Sequence, residues 1–242
     1  MADRRSVVLD GRGVVRGVFT DRADGDFAIG SGASTQPQLA RRRAELAPLP
    51  WTWLEQVHGA DVVLVGEPGE GAGRQADAAV TQCAAATLSV QVADCAPVLL
   101  FSPTGDGAVV AAAHAGWKGL LAGVIEATVA HMKEAGATDI GYWVGPCISP
   151  AAYEFAERDL DALASRFGDE VRGVTSDARP ALDMRAAVDA AVKRAGVGNE
   201  RSGPPSACTA LSESHWSHRR SSDLQRQVGA IWWEADPGVL QP

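Results

Sequence analysis

Residues 107–116, GAVVAAAHAG, form an apolar run without a charged side chain, closed by glycine at both ends. The run is far short of the roughly 18 apolar residues that a membrane-spanning helix needs, and its length suits a strand. It reads as a buried strand, a constraint that obliges the rest of the chain to supply partner strands and cover. His114 stands at its end, where WKGLLAGV continues as a helix. Two readings stay open there: a core histidine with satisfied hydrogen bonds, or a metal ligand or catalytic base at the mouth of a site.

Other strand-like runs alternate with helical ones. RGVVRGVFT (12–20) and DVVLVG (61–66) are short and Val-rich. In ATLSVQVADCAPVLLFS (86–102), Leu88, Val90 and Val92 alternate with Ser89 and Gln91, a half-buried pattern, before a second apolar run after Pro97. DIGYWVGPC (139–147) alternates again. Past His114, Leu121, Ile125, Thr128 and Met132 share one helical face with Val129 beside them, while Glu126, Ala130, Lys133 and Glu134 take the other. Ser149 as N-cap and Pro150 at the first position predict another helix from there.

Loops are expected at 66–78 and 201–209, with a frayed tail from 236, and no shift in composition divides the chain. The expectation is a single domain over 1–242, α/β bordering on α+β, with mixed β-sheets flanked by helices.

A net charge of −8 disfavours nucleic acid as a partner. The charged N-terminal stretch is not followed by an apolar segment, so neither a secretory signal nor a membrane anchor is read, and the cytoplasm is the expected location. Four cysteines without a CxxC pair read as thiols or metal ligands rather than disulfides.

His58, Cys95 and His114 each end a strand or sit just past one. Two imidazoles and a thiolate suit a catalytic zinc with an open fourth position, although the spacing equally allows buried histidines and an inert cysteine. Cys147 is the fourth ligand if the site is a closed one in a binding module. In HAGWKG, glycines free the backbone and Lys118 lies by a helix start, which suits phosphate or carboxylate; a solvated Lys118 is the plainer alternative. Arg219, Arg220 and Arg226, with His215 and His218, make a C-terminal cluster able to grip an anion, and Trp216 could stack on a base. A charged loop before the final strand VGAIWW explains that cluster equally well. His131 reads as a surface residue and Cys83 as a small core residue.

The segments WLEQVHGADVV, ADAAVT, VADCAPVLLF, AAAHAGWKGLLAG, VGPCISPAAYEF, ALDMRAA and the closing CT…WSHRR…RQVGAIW occur in the order seen in the YfiH-like family. Its members carry the names laccase-domain protein, polyphenol oxidase and purine nucleoside phosphorylase, and the chain resembles them over about residues 14–233. The resemblance implies an α/β fold and a zinc held by His58, Cys95 and His114. It also implies phosphorolysis of adenosine, inosine or methylthioadenosine, adenosine deamination, and, in bacterial relatives, editing of peptidoglycan precursors. The implied partners are a nucleoside and phosphate, and the chain is expected as a monomer or homodimer.

On this reading Cys95, His114 and Asp94 are catalytic, Asp94 as proton carrier in deamination. Arg22, Lys118 and Arg219 are the phosphate-binding candidates. Departures from the family pattern fall at VFTDRADGDFAIGSG, where Arg22 stands for the family arginine, at WSHRR and at QRQ. Alternatives are a copper-dependent polyphenol oxidase, for which five histidines are too few, and a metal-free hydrolase with Cys95 as nucleophile and His114 as base.

Overall fold

The computed structural model describes residues 1–30, 34–105, 107–200 and 207–236. Strands β1 (Asp3–Leu9) and β2 (Gly13–Phe19) lead into helix α1 (Gln36–Leu46). There follow β3 (Trp51–Thr52), β4 (Val62–Val65), β5 (Ala78–Thr81), β6 (Thr87–Val92), β7 (Ala96–Pro103) and β8 (Ala108–Ala115). Helices α2 (Trp117–Ala122) and α3 (Val124–Glu134) precede β9 (Gly141–Val144) and α4 (Glu157–Phe167). Then come β10 (Arg172–Val174), β11 (Pro180–Leu182), α5 (Met184–Arg194), β12 (Asn199–Glu200), α6 (His218–Ser221) and β13 (Gln227–Ala235).

Two mixed sheets result, as the sequence leads one to expect. A five-stranded sheet runs β1-β2-β13-β6-β3 and a six-stranded sheet runs β12-β9-β7-β8-β5-β4. β10 and β11 form a separate two-stranded ribbon. Each large sheet is mostly antiparallel; parallel pairs occur at β3–β6, β4–β5 and β9–β12.

The two sheets face each other across a core of Val15, Leu88, Val90, Leu99, Val110 and Trp143. The far side of the six-stranded sheet, including Val98, Leu100 and Ala111, packs on α2 to α5 through Leu120, Ile125, Leu163 and Val188. Helix α1 covers the outer face of the five-stranded sheet with Leu39 and Leu46 against Ala230 and Trp232. This α–β–β–α layering explains why every residue of β8 is buried. Complete burial of a leucine such as Leu99 or Leu100 contributes about 2 kcal/mol.

Three local expectations are corrected. β6 is more than half-buried, because Ser89 lies inside the five-stranded sheet's outer layer and its hydroxyl donates to the Thr52 carbonyl at 3.0 Å, leaving only Gln91 half-buried at the cavity. The helix after His114 is two helices, broken at Gly123, whose left-handed φ of 95° ends α2 and starts α3. The face expected on α3 nevertheless holds: Ile125, Thr128, Val129 and Met132 are buried. Ser149 and Pro150 open a 3₁₀ turn over Pro150–Ala152, not a long helix, and α4 starts only at Glu157. The intervening backbone pairs instead with β11: the Phe155 amide donates to the Pro180 carbonyl and the Leu182 amide to that of Tyr153, at 2.9 and 3.2 Å. Of the expected loop and tail, 201–206 and 237–242 lie outside the described residues. Among the described residues, no helix is long and apolar enough to cross a membrane.

Candidate metal centre and cavity

β7 and β8 pair with Pro97 opposite His114 and Ala96 opposite Ala115. Cys95, just before β7, and His114, at the end of β8, therefore reach the same end of one hairpin. His58 arrives from the loop between β3 and β4. That loop is anchored by Gln56, whose side chain copies a strand: its Nε2 donates to the Gln91 carbonyl at 2.8 Å and its Oε1 accepts from the Gln91 amide at 2.7 Å. The ligand atoms of His58, Cys95 and His114 all lie within 4.8 Å of one another. Cys95 Sγ is 3.9 Å from His58 Nε2, and the two imidazoles meet edge to face with centroids 4.8 Å apart.

Asp77, directly before β5 and 0% exposed, holds this arrangement from behind. Its Oδ1 accepts from His114 Nδ1 at 2.7 Å and from the His58 amide at 2.9 Å. Its Oδ2 accepts from the Gly59 and Val57 amides at 2.7 and 3.1 Å. Burial opposes ionisation of this carboxyl, but the bonds from His114, Gly59 and Val57 outweigh it and hold it below the usual carboxylate range.

Burial also disfavours the Cys95 thiolate, yet His114 by charge and hydrogen bond, and His58 after it, bring the thiol down to about 6. The same exchange works on His114: burial lowers it, and Cys95 and Asp77 more than offset this, raising the imidazole to about 9. Without a metal, both shifts favour the thiolate–imidazolium form of the pair, and the thiolate is the form of cysteine that both attacks electrophiles and ligates metals.

Two imidazoles and a thiolate are a zinc donor set, and the 3.9 Å sulfur-to-nitrogen separation is near the roughly 3.6 Å spanned by two ligands of a tetrahedral zinc. Room for that approach comes from Gly116: a Cβ there would stand 2.7 Å from His58 Cδ2 and 3.2 Å from Cys95 Sγ. Cys147 is not part of the cluster. It lies opposite Cys208 in an isolated bridge, apart from the three clustered ligand atoms, so the closed four-ligand site does not form among the described residues; burial pushes its thiol up to about 12.

The three side chains open onto a cavity of about 730 Å³, bordered also by Trp53, Gln91, Asp94, Trp117, Tyr153 and Arg219. That size suits a small organic ligand. The Arg219 guanidinium lies over the Tyr153 ring at 4.7 Å and donates to the Glu154 carbonyl at 2.9 Å. Asp94 takes a left-handed φ of 93°; its Oδ1 accepts from Thr209 Oγ1 and its Oδ2 from the Arg219 amide, both at 2.7 Å. The structure thus brings Asp94 and Arg219 to the metal centre's cavity. Arg22 and Lys118 do not border it. Arg22 pairs with Asp223 at 2.9 Å and lies 4.2 Å over Trp216, and Lys118 is exposed beside the Trp117 ring. Trp117 itself meets Phe155 edge to face. His131 pairs with Glu134 at 2.9 Å, away from the site.

Asp77, Gln56, Gly116 and Tyr153 all serve the site, and the residue pattern does not single them out. An acid directly before the apolar stretch AAVT is the one signal that points to Asp77, since a buried carboxylate demands partners.

Residues 33–234 match the family described as multi-copper polyphenol oxidoreductase laccase. The chain is 36% identical to a purine nucleoside phosphorylase of Streptomyces coelicolor over 231 residues, covering 88% of this chain and 93% of the relative. It is 37% identical over 193 residues to the purine nucleoside phosphorylase YfiH of Escherichia coli, covering 74% and 72%. Among solved structures, a Neisseria meningitidis protein superposes with a TM-score of 0.76 at 27% identity, covering 96% of this chain and 99% of that one. YlmD from Geobacillus stearothermophilus gives 0.73 at 25% identity, with 93% of each chain covered.

Proposed function

The chain belongs to the YfiH-like family described as multi-copper polyphenol oxidoreductase laccase, and on that premise we propose that it is a zinc-dependent purine nucleoside phosphorylase. The observation that carries this reading is one three-ligand cluster, His58, Cys95 and His114, opening onto a nucleoside-sized cavity that also presents Arg219. Relatives over most of the chain bear the phosphorylase name.

Phosphorolysis breaks the C1′–N9 bond and forms a C1′–O bond to phosphate, while the purine leaves with a proton. The site must therefore hold an anion, tolerate positive charge on the sugar and exclude water. Arg219 offers phosphate a planar donor held in place by Tyr153 and Glu154. Asp94 fixes the backbone from which Arg219 projects, through its bond from the Arg219 amide. Trp117 and Tyr153 supply apolar surface for the nucleoside. A metal bound by His58, Cys95 and His114 supplies Lewis acidity toward a substrate oxygen.

A multicopper oxidase fits the residues less well. Reduction of oxygen to water needs several coppers, whereas the chain has five histidines and the described residues hold a single three-ligand group. The thiolate–imidazolium pair of Cys95 and His114 favours a second reading, a metal-free cysteine hydrolase.

Incubation with inosine and phosphate is expected to release hypoxanthine and ribose 1-phosphate, with loss of activity on chelation, recovery with zinc, and none in Cys95→Ala. No release from any purine nucleoside refutes the phosphorylase. Absence of phosphorolysis, together with amide hydrolysis that is indifferent to chelation but abolished by thiol alkylation, decides for the hydrolase.

A further inference from the structure

We propose that Asp77 is the positioning residue of the metal centre, its one buried carboxylate fixing both the ring of His114 and the backbone of His58. The inference rests on the metal reading above. An ionised carboxylate has about four acceptor sites, and here four N–H groups fill them: His114 Nδ1 and the amides of Val57, His58 and Gly59. The Asp77 carbonyl adds a bond from the His114 amide at 2.7 Å, so the end of β8 is tied to the same residue.

Two consequences follow for the ligands. With Asp77 accepting at Nδ1, the His114 ring keeps its proton there and presents Nε2 to the metal. Three successive amides can converge on one carboxylate only if the chain curls around it. His58 does so with a φ of 60°, in the left-handed region that non-glycine residues seldom occupy. The same curl aims the His58 ring at Cys95. Two ligands distant in the sequence are thus oriented by a single side chain that touches neither metal nor substrate. An asparagine has nearly the same shape but one acceptor oxygen, and its NH₂ would face N–H groups with nothing to accept.

Zinc affinity of wild type, Asp77→Asn and Asp77→Ala is measured by competition with a chelating dye, alongside the circular dichroism and melting temperature of each. Nitrogen-15 NMR of the zinc-loaded wild type reads the His114 tautomer without any variant. We expect an Nδ1–H tautomer with Nε2 on the metal and a 10- to 100-fold loss of zinc affinity in a folded Asp77→Asn. An Nε2–H tautomer in the wild type overturns the proposal even if the variants fail to fold. So does a folded Asp77→Asn that binds zinc within threefold of wild type. A wild type that binds no zinc sinks the metal reading and the inference with it, an outcome distinct from the other two.

Discussion

Replacing Gly116 by alanine tests the metal centre with a single added methyl group. Gly116 has φ −82° and ψ 159°, a conformation open to any residue, so the backbone is not strained by the change. The new Cβ meets His58 Cδ2 at 2.7 Å and Cys95 Sγ at 3.2 Å, whereas carbon atoms rest at about 3.5–4.0 Å. The His58 ring must retreat by about 1 Å. It is an exposed side chain at its far end, so the retreat is easy and the metal-free fold loses no more than about 1 kcal/mol, the difference between glycine and alanine at a helix N-cap included. The same 1 Å is ruinous for ligation, because zinc–nitrogen bonds hold to about 0.2 Å. Loss of one ligand of three is expected to weaken zinc binding at least ~100-fold, or about 2.7 kcal/mol. Competition with a chelating dye measures the affinity, and urea unfolding of the metal-free protein measures the fold. A folded Gly116→Ala that binds zinc within threefold of wild type refutes the assignment of His58 and Cys95 to one metal.

Three further outcomes are expected. In the metal-free protein, alkylation of Cys95 by iodoacetamide should rise with pH through a midpoint near about 6, because the thiolate is the reacting form; Cys147, pushed to about 12, should stay inert, and a Cys95 midpoint above about 8 would contradict the ion pair. Arg219→Met should raise KM for phosphate by about 10- to 100-fold, the worth of a charge-assisted hydrogen bond, with KM for inosine little changed. Lys118→Met, exposed and outside the cavity's border, should leave both alone; steady-state kinetics with each substrate varied would show the reverse if Lys118 holds the anion. Asp94→Ala should cost about 2–4 kcal/mol, since it strands the Thr209 hydroxyl and the Arg219 amide at a left-handed backbone position. Asp94→Asn keeps one acceptor and tolerates that backbone, so urea unfolding should rank it between alanine and wild type.

The Val-rich runs of β2 and β4 and the glycine-bounded run of β8 were legible because short-range period and punctuation specify them. Ser149 and Pro150 carry a genuine helix-start signal. Tertiary pairing of Tyr153 and Phe155 with β11 overrides it, and no local rule contains that strand. Gly123 reads as a tolerated interruption, and only the packing of α2 and α3 on β8 turns it into a break. The three candidate ligands stood out by residue type; Cys95 and His114 do lie at strand ends, whereas His58, expected at one, sits in the loop between β3 and β4, where Asp77 and Gln56 hold it. Asp77 did not stand out, since its importance lies in amides about twenty residues earlier whose convergence the sequence does not display. Arg22 and Arg219 look alike in the sequence; the fold packs one, half-buried, against Trp216 and Asp223 and turns the other to the cavity.

The place of β13 in the middle of the five-stranded sheet bears on how the chain folds as it leaves the ribosome. All six strands of the other large sheet are made by residue 200, and His58, Cys95 and His114 by residue 114. That sheet and its hairpin can assemble while the segment from 227 is still in the exit tunnel. The five-stranded sheet cannot: until β13 arrives, the β1–β2 hairpin and the β6–β3 pair are two fragments with open edges where the missing strand belongs. Vectorial synthesis thus gives the ligands a scaffold early and leaves one sheet exposed to mispairing late. A nascent chain stalled before residue 227 should be the form that a chaperone binds.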